Sequence, residues 1–115
     1  MAFSATLETD AIGISQITLV GQLDASMAPA FQAEVAKAAL EKPRCLVLRM
    51  EALEYMASAG LRALIFAKQK MGPGVDLYVV GAQPQVMDTI RKTGLDRSIS
   101  TLSSYDAELI AQPYR

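Results

Sequence analysis

Residues 45–61 read CLVLRMEALEYMASAGL, and this stretch decides the fold of the chain. Its first four residues are continuously apolar, which is typical of a strand buried on both faces of a sheet. Residues 51–57 are predicted as a loop, and apolar side chains at helical spacing predict a helix over residues 58–71. Ile65 belongs to the apolar set expected to face inward. A buried strand followed by a helix favours an α/β architecture.

The same alternation continues on both sides of this stretch. The helix upstream is expected to end at Lys42 and Pro43, and a capping box beginning at Ser103 predicts a last helix. The predicted strands cover residues 5–9, 12–20, 45–48, 75–80 and 98–102, and the predicted helices cover residues 26–42, 58–71, 84–93 and 103–111. The fold class is therefore α/β, a single domain over residues 1–115. Its mixed sheet of four to five strands is flanked by about four helices.

The composition narrows the range of functions. The 115 residues include 11 Lys and Arg against 12 Asp and Glu, a net charge of −1, and this balance supplies no basic stripe for nucleic acid. The chain has no histidine, which excludes a Ser-His-Asp triad, an imidazole base and a Cys/His zinc site. Residues 72–74 match no nucleotide-binding loop. We therefore expect no enzyme activity, no metal and no cofactor.

The single cysteine and the apolar runs bear on the compartment. Cys45 is alone, so the chain cannot form an internal disulfide, and the thiol fits a reducing environment. Its place in an apolar strand predicts an inert, buried side chain. The apolar runs are shorter than the about 20 residues that cross a bilayer, and the start of the chain lacks signal-peptide features. The sequence therefore predicts a cytoplasmic protein without membrane insertion.

Two polar positions are candidates for function. Ser58 is predicted as the N-cap of the helix over residues 58–71, where its hydroxyl can accept a hydrogen bond from the first turn. The helix N-terminus also favours an anion, so a phosphate on Ser58 would be tolerated there. Gly60 removes a side chain beside it, so the backbone of another protein could approach closely. Asp24 is either an exposed turn residue or a cap for the following helix.

Two motifs together resemble a known family. The pattern Gly21-x-Leu23-Asp24 after the second strand and Met56-x-Ser58-x-Gly60-Leu61 after the third resemble a STAS domain of the bacterial anti-sigma factor antagonist type. The resemblance covers residues 5–111. It differs from the family pattern where Ala57 replaces an aspartate and Ala59 replaces a second serine.

The resemblance implies a regulatory role. Ser58 would be phosphorylated by an anti-sigma factor that is also a serine kinase, and a serine phosphatase would reverse the modification. The unphosphorylated chain would bind that kinase and so release a sigma factor. The expected partner-binding residues are Asp24, Met56, Ala57, Ser58, Ala59, Gly60 and Arg62. Arg62 is included because it lies one helical turn after Ser58 on the same face. We expect a monomer or weak dimer.

A second interpretation keeps the fold without the switch. Some STAS domains are constitutive subunits of ABC-type lipid transport complexes, and others are scaffolds of signalling assemblies. The altered loop with Ala57 and Ala59 fits such a role. If position 57 is simply an exposed loop site, Ala57→Asp should change stability by no more than about 0.5 kcal/mol.

Overall fold

The computed structural model describes residues 3–10 and 12–106. The elements in chain order are β1 (Ser4–Thr9), β2 (Ile14–Leu23), α1 (Ala28–Leu40), β3 (Cys45–Met56), α2 (Ser58–Met71), β4 (Asp76–Val80), α3 (Pro84–Lys92), a short 3₁₀ helix (Leu95–Arg97) and β5 (Ser100–Leu102). The strands form one sheet in sequential order, in which β1 and β2 are antiparallel and all later neighbours are parallel. The predicted mixed α/β sheet is confirmed.

The main core lies between one face of the sheet and helices α1, α2 and α3. Phe31 of α1, Leu64 of α2 and Ile90 of α3 are fully buried in it, together with Leu46 and Leu48 of β3. On the opposite face a smaller cluster contains Cys45, Val47, Tyr78 and other apolar residues, with Leu102 and Tyr105 packed against it. The start of β3 is therefore buried on both faces, as its apolar run predicts.

The predicted loop over residues 51–57 is wrong for residues 51–56, because β3 continues to Met56. Its buried residues there are Met50, Leu53 and Met56, a spacing of three that fits no regular strand. The register with β2 supplies the reason: β3 advances one residue more than β2 at each of two bulges, opposite residues 18–20 and 21–22. Each extra residue breaks the alternation of the side chains. Strand β2 likewise runs on to Leu23 instead of ending at residue 20.

Other boundaries shift less. Helix α2 has the predicted bounds, but Ile65 is 42% exposed instead of facing inward. The smaller Ala63 and Ala67 fill the buried face in its place, which allows α1 and α2 to pack closely. Gly94 follows α3 with a φ of +77°, as predicted for a residue that ends a helix. Residues 103–106 are not helical, and the rest of the predicted last helix lies outside the described residues.

Candidate functional site

The two motifs singled out in the sequence meet where β2 and β3 end, at the carboxyl ends of these neighbouring strands. Leu23 at the end of β2 lies opposite Met56 at the end of β3. The backbone N–H of Ala57 donates a hydrogen bond of 2.9 Å to the carbonyl of Leu23, which joins the two chain segments just beyond the strands. Asp24 and Ser58 therefore follow neighbouring strand ends that point in the same direction, so the structure brings them to the same end of the molecule.

Helix α2 begins one residue earlier than a serine cap would place it. Ala57 is the N-cap, with the extended backbone (φ −82°, ψ 173°) usual for that position, and its carbonyl accepts the N–H groups of Gly60 and Leu61. Ser58 is the first helical residue and makes no capping hydrogen bond. The prediction that Ser58 is the cap is wrong, because the Ala57–Leu23 bond fixes the turn at residue 57.

The first turn of α2 leaves polar groups without partners in the described part of the chain. The N–H groups of Ser58 and Ala59 have no acceptor within the helix, as expected for its first positions. The Ser58 side chain is exposed, and its hydroxyl makes no hydrogen bond to a described residue. Arg62, one turn further along the same face, is also exposed and makes no ion pair to a described residue. A hydroxyl, two N–H donors and a cation therefore lie along the start of α2.

Gly60 lets α2 approach the strand ends closely. A Cβ atom on Gly60 would lie 2.7 Å from Cγ of Met56 and 3.1 Å from Cγ and Cδ2 of Leu23. Both neighbours are buried in the main core, so neither can move away into solvent. Gly60 is itself buried, so the close approach that its missing side chain allows is to the strand ends of this chain and not to another protein, as the sequence had suggested.

Asp24 organises the turn between β2 and α1. Its Oδ1 atom accepts hydrogen bonds from the Ser26 hydroxyl at 2.6 Å, the Ser26 N–H at 3.0 Å and the Met27 N–H at 3.1 Å. The bond from the Ser26 hydroxyl, and then the backbone N–H groups, lower the pKa of the Asp24 carboxyl. Of the two roles left open by the sequence, Asp24 is a turn residue, because the N-cap of α1 is Met27.

We expect Asp24→Ala to lower the thermal midpoint at pH 7, whereas Asp24→Asn should lower it less, because its amide oxygen can replace Oδ1 as an acceptor but carries no charge. Since the folded-state pKa is lowered, the contribution of Asp24 is present above the unfolded pKa of about 3.9 and lost as the pH falls through the folded value. The gap between wild type and Asp24→Ala should therefore narrow in acid. Thermal denaturation of the three proteins from pH 3 to 7 checks this. Equal midpoints for alanine and wild type at pH 7 would contradict it.

The N-cap geometry changes the expectation for Ala57→Asp. Ala57 is half-buried and has the backbone of a cap but no side-chain acceptor. An aspartate there can accept a first-turn N–H and lies at the positive end of the helix dipole, so we expect it to raise the free energy of unfolding by about 1 kcal/mol. Urea denaturation at neutral pH measures this, with Ala57→Leu as a control that supplies no acceptor. Equal stability of the aspartate and leucine variants would show that residue 57 is not a cap in solution.

Two glutamines near this turn were missed by the sequence analysis. Gln83 and Gln85, at the start of α3, donate side-chain hydrogen bonds of 3.0 Å to the carbonyls of Glu51 and Glu54 on β3. Nothing in the sequence pairs these residues, because they lie 32 and 31 positions apart and the bonds end on backbone atoms. Only the placement of α3 beside the end of β3 reveals the contact.

Cys45 lies outside the serine turn around Ser58, at the start of β3. Cys45 is buried, and desolvation raises the pKa of its thiol to about 11, so it stays protonated at neutral pH as an inert thiol would.

Residues 3–10 and 12–106 contain no group of three or more His, Cys, Asp or Glu side chains placed to hold a metal ion. Within the same residues, none of the helices has the length and apolar character needed to span a bilayer.

Known proteins match this chain in sequence and in fold. The model of the STAS domain family matches residues 6–108. The chain is 26% identical over 92 residues to the anti-sigma-F factor antagonist RsfB of Mycobacterium tuberculosis, which covers 80% of this chain and 75% of that protein. The crystal structure of an anti-sigma factor antagonist from Mycobacterium paratuberculosis superposes with a TM-score of 0.85 at 27% identity, covering 96% of this chain and 93% of the other.

A more distant structure shares the fold. The Bacillus cell fate determinant SpoIIAA, solved in its phosphorylated form, superposes with a TM-score of 0.70 at 18% identity, covering 93% of this chain and 96% of the other. The family match extends over most of the chain and includes both motifs at the ends of β2 and β3. The chain belongs to the STAS domain family.

Proposed function

We propose that this protein is an anti-sigma factor antagonist whose binding to an anti-sigma factor with serine kinase activity is controlled by phosphorylation of Ser58. The observation that carries the proposal is the Ser58 hydroxyl, exposed at the start of α2 and free of partners among the described residues. The relatives at 26% and 27% identity, named as anti-sigma factor antagonists, support the role. The structure of SpoIIAA in a phosphorylated form is consistent with a phosphoacceptor on this fold.

The proposed docking surface is the end of the sheet where β2 and β3 finish. Ala57 and Ala59 have small side chains, so a partner backbone can approach the first turn of α2 closely. Asp24, beside them, retains its second carboxylate oxygen for a partner donor, and Arg62 extends the surface one turn along the helix. Met56 and Gly60 lie beneath and hold this surface in place.

Phosphorylation would act on binding and leave the fold intact. A phosphate adds a charge of about −1.5 to −2 at neutral pH, which a close-packed or acidic partner surface rejects. Within the chain, the same phosphate would meet the first-turn N–H groups and the Arg62 guanidinium, all of which favour an anion. The protein would be the substrate of the kinase and of a serine phosphatase, acting in the cytoplasm as a monomer or weak dimer without a catalytic role of its own.

We expect incubation with the cognate kinase and ATP to add a single phosphate to the wild-type chain and none to Ser58→Ala. Ser26→Ala is the matched control, because Ser26 is also exposed at this end of the molecule but its hydroxyl is bonded to Asp24. Intact-mass spectrometry followed by peptide mapping gives the result. Modification that persists in Ser58→Ala would overturn the assignment. A wild-type chain that no anti-sigma kinase modifies or binds would favour the constitutive STAS role.

A further inference from the structure

Strand β3 extends well beyond its neighbour on one side. The pairing of β3 with β4 ends where Arg49 lies opposite Val80. On the other side, β2 accompanies β3 as far as Met56. In the described part of the chain, residues 51–56 of β3 therefore have a strand along one edge only. This half-paired segment leads directly into the serine turn, so contacts along its second edge also help to position the start of α2.

Two glutamine side chains occupy the edge that lacks a strand. Gln83 Nε2 donates to the Glu51 carbonyl and Gln85 Nε2 donates to the Glu54 carbonyl, both at 3.0 Å. Gln85 Nε2 also donates to Gln83 Oε1 at 3.1 Å, which orients the first amide for its own bond. The two amides thus take the place of the N–H groups of a neighbouring strand.

The turn that carries these glutamines is held by several contacts of its own. The N–H of Met87 donates to the Gln83 carbonyl at 2.8 Å, the proline at residue 84 fixes the backbone between the two glutamines, and Val86 is buried in the core. The N–H of Gly81 donates to the Leu102 carbonyl at 2.8 Å and ties the same turn to β5. A side chain at Gly81 would collide with Cγ of Glu51, so this turn also lies directly against β3.

We propose that Gln83 and Gln85 are positioning residues for the Ser58 turn, an inference that rests on the proposed function for its effect on kinase recognition. They restrain the second edge of residues 51–56, and so add to the β2 pairing and the Ala57–Leu23 hydrogen bond that position the start of α2. Both hydrogen bonds lie at the surface, where water can replace the donors, so their loss leaves the fold intact. What is lost is the fixed position of the strand end, and with it the presentation of the serine to a kinase.

The test compares Gln83→Met/Gln85→Met with wild type by amide hydrogen exchange and by phosphorylation. Methionine has the shape of glutamine without the donor. We expect the amides of residues 53–57 to exchange about tenfold faster, because a factor of ten corresponds to the loss of two modest hydrogen bonds. Exchange of the amides in α1 should be unchanged. The rate of Ser58 phosphorylation by the cognate kinase should fall several-fold. Two single variants, each with Gln83 unchanged, test the role of the donor at residue 85. Gln85→Lys retains a donor, so its exchange rate at residues 53–57 and its rate of Ser58 phosphorylation should be closer to wild type than those of Gln85→Met.

Gln69→Met is the matched control, since Gln69 is an exposed glutamine of α2 that makes no hydrogen bond to a described residue. Unchanged exchange of residues 53–57 in the double variant would overturn the proposal. So would acceleration in α1 by the same factor, which would indicate general destabilisation. Because the exchange measurement needs no partner, it remains decisive even if no kinase modifies wild-type Ser58, an outcome that would count against the proposed function alone.

Discussion

Gly60→Val is expected to lower the free energy of unfolding by about 3 kcal/mol and the thermal midpoint by about 12 °C. Any Cβ at residue 60 lies 2.7 Å from Met56 Cγ and close to Leu23, and valine adds two methyl groups to that collision. The gain in helix propensity over glycine is under about 1 kcal/mol and does not offset it. The displaced strand ends should also abolish partner binding. Urea and thermal denaturation give the stability, and titration calorimetry gives the affinity.

A double-mutant cycle identifies the colliding atoms. If the introduced valine side chain collides with Met56, the double variant Gly60→Val/Met56→Ala should lose less unfolding free energy than the two single variants lose in total. The difference should be at least about 1 kcal/mol. Gly74→Ala is the control, because a Cβ there has no atom within 4 Å and should change stability by less than about 0.5 kcal/mol. Additive effects at residues 60 and 56, or a valine variant as stable as wild type, would contradict the packing described for this turn.

Phosphorylation of Ser58 is expected to weaken binding to the anti-sigma kinase about 100-fold. Burying a phosphate in an interface where the anti-sigma kinase supplies no cation for it costs about 2–5 kcal/mol of binding free energy. A 100-fold loss of affinity corresponds to about 2.7 kcal/mol. The second pKa of the phosphate is about 6, so part of the affinity should return as the pH is lowered below that value. Calorimetry with the purified modified and unmodified proteins at one salt concentration measures the ratio. Equal affinities would exclude a phosphate switch at this residue.

The same phosphate should leave the domain as stable as before or raise the free energy of unfolding by about 0.5–2 kcal/mol. The expected partners are the first-turn N–H groups and the Arg62 side chain, which have no other partner in the described residues. Arg62→Ala should therefore reduce any gain seen on phosphorylation without changing the unmodified protein appreciably. A clear loss of stability on phosphorylation would mean that the charge disrupts α2.

The sequence predicted the elements whose burial follows a simple rule. The continuous apolar run at residues 45–48 indicated a strand covered on both faces, and the structure confirms it. Helix α2 was predicted with its observed bounds because its apolar side chains recur at helical spacing and Gly72 ends it. The error over residues 51–56 came from the two bulges, since an extra residue in one strand is a property of pairing with another strand.

The chemistry available to this protein was determined by the sequence alone: a serine at a helix start, a nearby glycine, an aspartate after the second strand, and no histidine. Their relative placement was decided only by tertiary structure. The parallel pairing of β2 with β3 brings Asp24 to the serine turn, and the Ala57–Leu23 hydrogen bond moves the cap from Ser58 to Ala57. The contacts of Gln83 and Gln85 with β3 likewise depend on where α3 packs. The spacing of apolar residues predicts which side chains are buried. A hydrogen bond to a backbone atom distant in sequence produces no such spacing, so the sequence does not predict it.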